Sequence, residues 1–176
     1  MDIGLLMLRI VIGGLLIGHG TQKMFGWFGG GGIRGTAGFF EALGYRPATP
    51  LAVVAGTAEA GGGLLLATGF LTPLGAAAIA GVMLNAIVTV HLSKGIWNGN
   101  GGLEFPLTVA TGGLAVAFAG PGRFAVDRAV GLDLQGTAWG LAALALAVGV
   151  GSLTLLARSI MARDAEESPD DLRTAA

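Results

Sequence analysis

The 176-residue chain contains no cysteine. Disulfide exchange, thiolate-bound metals, iron–sulfur clusters and covalently attached c-type haem are excluded together, so redox chemistry would have to run through a borrowed group. Charge is also scarce: Asp, Glu, Lys and Arg make up 12% of residues, and the net charge is −1. The ten basic residues stand singly with no basic block, which argues against a nucleic-acid partner or a polybasic lipid-binding segment. There are only two histidines and one tyrosine. What the chain has in excess is apolar surface, 53% hydrophobic residues, together with 33 glycines. A soluble domain cannot hide that much apolar area. The glycines follow no Gly-X-Y period and lie within long apolar runs, where they predict helices packed backbone to backbone. The composition describes an integral membrane protein whose first partner is the lipid bilayer.

Crossing a hydrocarbon core takes about 20 apolar residues. Five stretches reach or approach that length, at 3–25, 50–70, 72–92, 103–120 and 137–157. The first has no basic n-region, carries Arg9 within its apolar run and lacks a small-residue cleavage site, so it is expected to remain as a helix rather than leave as a signal peptide. Only Leu71 and Thr72 separate the second and third spans, and Pro73 suits a first helical turn, which predicts a tight antiparallel hairpin. Between the first two spans, Gly29 to Gly32 reads as a hinge, and Thr36 to Tyr45 as a short amphipathic helix ended by Gly44 and Pro47. Phe39, Phe40, Trp27 and Phe28 suit that segment to the headgroup level. Residues 93–102 are expected to form an irregular turn and 120–136 a second interfacial piece. The tail from Arg163, with five acidic residues, is expected to be solvated and disordered. The fold class is therefore all-α: a four-helix transmembrane core plus a fifth, C-terminal transmembrane helix. Seven basic residues (Lys23, Arg34, Arg46, Lys94, Arg158, Arg163, Arg173) fall on the side of the C-terminus and two (Arg123, Arg128) on the other, which predicts a cytoplasmic C-terminus.

Charges inside spans are costly and call for a partner or a role. On the first helix Arg9, His19 and Lys23 fall within an arc of about 80°, with Asp2, Gly13 and Gly20 beside it, so this face points into the bundle. Counting about 1.5 Å per residue from the inner ends, His19 is roughly 9 Å deep and Glu59 roughly 13 Å deep, near enough to meet. Arg9, about 24 Å from that surface, needs another counter-charge. Asp127 is the expected structural ion-pair partner, with Asp2 as the alternative. His91 and Glu104 end and begin spans at the same surface as Lys23. A constellation of His19, Lys23, Glu59, His91 and Glu104 from four helices follows, with Asn85 and Thr89 as neutral groups. Gly56 and Gly63 beside Glu59 would admit either another helix or a flat ligand. Each has a bland reading: interhelical glue for His19 and Glu59, an interfacial position for His91, and a macrodipole contribution for Glu104. Gly14 and Gly18 form a GxxxG pair, a weak signal in so glycine-rich a chain.

Several runs together resemble the DoxX family. They are H-G-T-Q-K-M-F-G-W-F-G-G at His19–Gly30, F-F-E-A-L-G at Phe39–Gly44, E-A-G-G-G-L-L-L-A-T-G at Glu59–Gly69, the G-V-M-L to H run at Gly81–His91, E-F-P-L at Glu104–Leu107, and G-P-G-R-F-A-V-D at Gly120–Asp127. The resemblance implies a four-helix membrane core over residues 1–128; the additional helix within 129–162 and the tail 163–176 lie beyond it. It also implies a link to thiosulfate:quinone oxidoreductases or to membrane complexes of redox and sulfur-transfer enzymes.

The leading expectation is thus a non-autonomous subunit of a quinone-dependent oxidoreductase, with quinone as cofactor and electrons from a redox protein partner. His19, Glu59 and Lys23 are its candidate catalytic residues, the first two as proton donors and Lys23 to stabilise anionic charge. His91, Glu104, Asn85, Gly56 and Gly63 are the candidate cofactor-binding residues; no metal site is expected, and the unequal depths of the two histidines disfavour haem. The alternative is a non-enzymatic scaffold that recruits soluble redox or sulfur-metabolism enzymes through the acidic tail. A proton-coupled transporter ranks third. Glycine-rich outer faces leave room for a homodimer.

Overall fold

A computed structural model describes residues 2–167, with side chains to residue 163. Its long elements are α1 (Asp2–Phe25), α2 (Gly32–Ala42), α3 (Ala48–Thr68), α4 (Thr72–Ala86), α5 (Glu104–Ala119), a single turn α6 (Val126–Ala129), and α7 (Thr137–Glu167). No strand occurs among the described residues. Four helices are long and apolar enough to cross a membrane: Asp2–Phe25, Ala48–Thr68, Thr72–Lys94 and Thr137–Arg163. Helix α5 is apolar but has 16 residues, about 24 Å of helix, so the fourth span is shorter than the expected 103–120. Large apolar side chains such as Ile10, Val54, Leu64, Leu146 and Leu153 cover the outside. Such a surface is stable only against lipid, and the chain is a multi-pass membrane protein.

The sequence explains where the helices stop. Helix α1 has Asp2 in its first turn and Lys23 in its last, each charge matching the macrodipole. Gly69 ends α3 in the left-handed region (φ 66°), with Phe70 N–H donating back to Leu65 O at 3.0 Å. Leu71, itself at φ 45°, then leads into α4, which has Pro73 in its first turn. The hairpin is as tight as expected. It is held by the fully buried Asp127, whose carboxylate accepts Leu71 N–H at 2.8 Å, Thr72 N–H at 3.1 Å and Thr72 Oγ1–H at 2.8 Å.

Helix α4 is central, packing against α3, α5 and α7, while α1 lies on α3. Ile12, Leu16, Leu66, Ile79, Met83, Val109 and Val116 form the main core. The α1–α3 interface is almost pure backbone. A Cβ built on Gly13 would lie 2.5 Å from Gly63 O, and one on Gly20 would lie 2.5 Å from both Gly56 O and Ala60 N. These contacts fix an antiparallel register in which residue 13 faces 63–67 and residue 20 faces 56–60.

Three segments differ from expectation. Helix α2 begins at Gly32, the last of the glycines expected to act as a hinge, rather than at Thr36, and it ends at Ala42, before Tyr45. Past Ala86, the fourth helix widens into a π-helical stretch, Ile87–His91, and tightens into a 3-10 turn, Leu92–Lys94. Helix α7 runs to Glu167, ten residues beyond the expected span end and into the tail read as disordered; residues 168–176 lie outside the described residues.

Candidate functional site

Lys23 and Glu59 form the one ion pair within the spans among the described residues, Nζ to Oε2 at 2.5 Å. Glu59 is 3% exposed at its side chain and Lys23 27%. By register His19, not Lys23, stands level with Glu59, yet Lys23 makes the contact. The reason is side-chain direction. Helical side chains lean toward the N-terminus of their own helix, so on antiparallel α1 and α3 the Lys23 and Glu59 side chains lean toward each other, whereas His19 leans away. The expected His19–Glu59 pairing is therefore replaced. His19 packs against α5, its ring centroid 5.2 Å from that of Phe105. Glu59 Oε1 has no hydrogen-bond partner among the described residues.

The ion pair borders a cavity of about 460 Å³ between α3, α4 and α7, covered at its inner end by Phe39 and Phe40 of α2 and by Tyr45. Its walls are almost entirely apolar, made by residues such as Val54, Ala58, Ala78, Val82 and Val150. Helices α3 and α7 each pack on α4 without forming a substantial interface with each other, so the cavity opens sideways toward lipid.

The wall opposite the ion pair carries a second polar group. Asn85 Oδ1 accepts the Tyr45 hydroxyl at 2.8 Å and the Thr154 hydroxyl at 2.9 Å, while its Nδ2 donates to Gly81 O at 3.0 Å and Gly151 O at 3.2 Å. The Asn85 amide is thereby saturated. It ties the α2–α3 connection, α4 and α7 together around the cavity instead of offering a free amide to a ligand. Burial pushes the Tyr45 hydroxyl above the usual tyrosine range, against opposing influences from Thr89 and Arg158, so at neutral pH it carries its proton and donates.

Other expected site residues sit elsewhere. His91 lines the cavity at its inner end, its Nδ1 2.7 Å from Gly101 O. Glu104 does not line it: its Oε2 accepts Asn98 N–H at 2.9 Å and closes the loop before α5. Gly56 and Gly63 provide no slot for a flat ligand, because α1 and Met24 fill the space above them. A Cβ on Gly14 or Gly18 would meet nothing within 4 Å among the described residues. Arg9 and Asp127 are both buried but form no direct salt bridge. The Arg9 guanidinium is taken by three carbonyls, those of Pro121, Phe124 (2.9 Å) and Ala67 (3.3 Å), while its Nε has no partner among the described residues. Asp2 instead meets Arg123, at 3.8 Å.

The sequence reading missed Tyr45 and Thr154. Their signal was faint: the single tyrosine of the chain placed between a helix-ending glycine and Pro47, and a threonine in an otherwise apolar fifth span.

Comparisons with known proteins agree with this architecture. The Escherichia coli (strain K12) protein named inner membrane protein YqjF is 35% identical over 130 residues, which cover 72% of this chain and 92% of that protein. No solved structure matches the chain. The DoxX family model matches residues 4–92, from the first turn of α1 to the end of the π-helical stretch that borders the cavity. With half of its length in that match and a relative aligned almost end to end, the chain belongs to the DoxX family.

Proposed function

We propose that this protein is the quinone-binding membrane subunit of a redox system and that the quinone ring enters the α3–α4–α7 cavity from the bilayer. The observation that carries this reading is an ion pair with a buried carboxylate and a part-buried ammonium, facing an apolar, laterally open cavity of about 460 Å³. A quinone ring needs flat apolar walls and a hydrogen-bonding group at a carbonyl, and the residues present fit it. Lys23 holds Glu59 with one N–H and has two more to offer. Glu59 Oε1 is free to take or give a proton at the ring oxygen. The quinone would supply carrier chemistry for electrons and protons. The chain's part is to orient the ring, exclude water with Phe39, Phe40 and Tyr45, and pass the proton between Glu59 and Lys23. Electrons come from a partner protein, since the chain has no cysteine and no flavin motif.

The basic residues at the ends of α1, α4 and α7 support a cytoplasmic C-terminus. Helix α7 favours a second reading. Its 31 residues span about 46 Å, beyond a core of about 30 Å, and the projecting end is suited to recruiting a soluble redox or sulfur-metabolism enzyme.

The test is purification from native membrane in mild detergent with mass spectrometry of bound quinone and accompanying proteins. Near-stoichiometric quinone is expected, falling about tenfold or more in Glu59→Gln and in Ala58→Leu, which narrows the cavity, at unchanged membrane abundance. Equal quinone in both variants, or partners with no quinone in the wild type, would rule for the scaffold.

A further inference from the structure

A second crevice, of about 160 Å³, adjoins the inner end of the α3–α7 gap. Pro47, Leu51, Ala157 and Met161 supply its apolar walls, and Arg46 and Arg158 border it. Arg158 is not a loose surface side chain. Its Nε donates to Leu43 O at 2.5 Å, and its guanidinium carbon lies 5.7 Å from the centroid of the Tyr45 ring. These contacts fix the fork and leave both Nη groups without a hydrogen-bond partner among the described residues. Among the described residues Arg46 pairs with the exposed Glu41 alone, 3.6 Å away, a surface pair that a better acceptor can displace. Depth agrees with charge: Arg158 lies about 32 Å along α7 from its start, one hydrocarbon thickness, and Arg46 stands two residues before α3.

We propose that this crevice binds an anionic phospholipid, its phosphate bridging Arg46 and Arg158 and its first acyl carbons lying along Leu51, Ala157 and Met161 in the α3–α7 gap. A planar guanidinium fork held in place suits a phosphate, and an ammonium headgroup would meet two positive charges there. The apolar walls continue into the mouth of the larger cavity, through Tyr45, Leu51 and Thr154, which border both. The lipid chain would then form part of the entrance to that cavity. The inference does not depend on which ligand the larger cavity takes.

The test is native mass spectrometry of the delipidated full-length protein, titrated with phosphatidylglycerol or phosphatidylcholine of the same acyl chains, with inorganic phosphate as competitor. Phosphatidylglycerol is expected to bind the wild type on the order of tenfold more tightly than phosphatidylcholine, and Arg46→Gln and Arg158→Gln each to lower its affinity about fivefold. Ala157→Phe, which fills the crevice and leaves both charges, is expected to weaken both lipids. Arg46→Gln and Ala157→Phe spare the Arg158–Leu43 contact, so they decide the matter if Arg158→Gln proves unstable. Equal affinity for the two lipids, a preference that survives Arg46→Gln with Ala157→Phe, or full displacement by inorganic phosphate would overturn the proposal.

Discussion

The Lys23–Glu59 pair is unequal, and the inequality has a measurable consequence. Glu59 is 3% exposed and accepts its one hydrogen bond from Lys23, whereas Lys23 is 27% exposed, two residues from the end of α1. In Lys23→Met the carboxylate is left without a counter-charge at the cavity wall. Removing one partner of a buried pair typically costs about 3–5 kcal/mol. In Glu59→Gln the ammonium keeps an amide oxygen as acceptor and can swing along its flexible stem to the headgroup level, so the loss is only about 1–2 kcal/mol. The double variant Lys23→Met with Glu59→Gln strands no charge and is expected to be more stable than Lys23→Met alone. Thermal unfolding in detergent, followed by the fluorescence of Trp27, Trp97 and Trp139, reads the difference. At about 2–4 °C per kcal/mol for a chain of this size, Lys23→Met should melt several degrees below Glu59→Gln. Equal melting temperatures, or a double variant no more stable than Lys23→Met, would refute the argument that the carboxylate is the trapped member.

Two further outcomes follow from the packing. Gly20→Ala places a Cβ 2.5 Å from the backbone of Gly56 and Ala60, so α1 and α3 must part; a loss of about 1–3 kcal/mol is expected, against no loss for Gly14→Ala, whose Cβ meets nothing within 4 Å. Melting temperatures of the two variants, measured side by side, decide it. Arg9→Met removes the donor shared by the Pro121, Phe124 and Ala67 carbonyls and is expected to cost at least about 3 kcal/mol. Membrane abundance should fall sharply, and Arg9→Lys, which cannot fork, should restore only part of it.

The bundle was legible because a span needs little information: length, apolarity and a break. Gly69 through Pro73 marked the hairpin, and the polar arc of α1 correctly turned Lys23 toward α3. Depth counting also placed His19 near enough to meet Glu59. It failed to name the partner because a count of residues along the axis ignores the lean of side chains, which on antiparallel helices brings together residues one turn out of register. Gly56 and Gly63 were open to two readings in the sequence, and only the position of α1 decides between a ligand slot and a helix seat. The expected Arg9–Asp127 pair makes no direct salt bridge, for a different reason. Most of the partners are backbone, carbonyls for Arg9 and hairpin amides beside the Thr72 hydroxyl for Asp127, and backbone groups carry no signature in a sequence.

The helix that seemed an addition to the family core turns out to complete the cavity. Residues 4–92 carry the family match and supply the ion pair, the α2 cover and the α4 floor, but Leu146, Val150, Gly151 and Thr154 of α7 form a further wall. Removing α7 would expose the α4 face to lipid and strip Asn85 of two of its four partners, Thr154 Oγ1 and Gly151 O. An Asn side chain left half-satisfied in the bilayer is costly, so α4 with Asn85 requires a helix in this place. The same helix presents Arg158 to the carbonyl of Leu43 and thereby seats the α2–α3 connection, which carries Tyr45 over the cavity. One helix thus carries both Thr154, on the cavity wall, and Arg158, at the α2–α3 connection, so the seat of that connection and the wall belong to a single element.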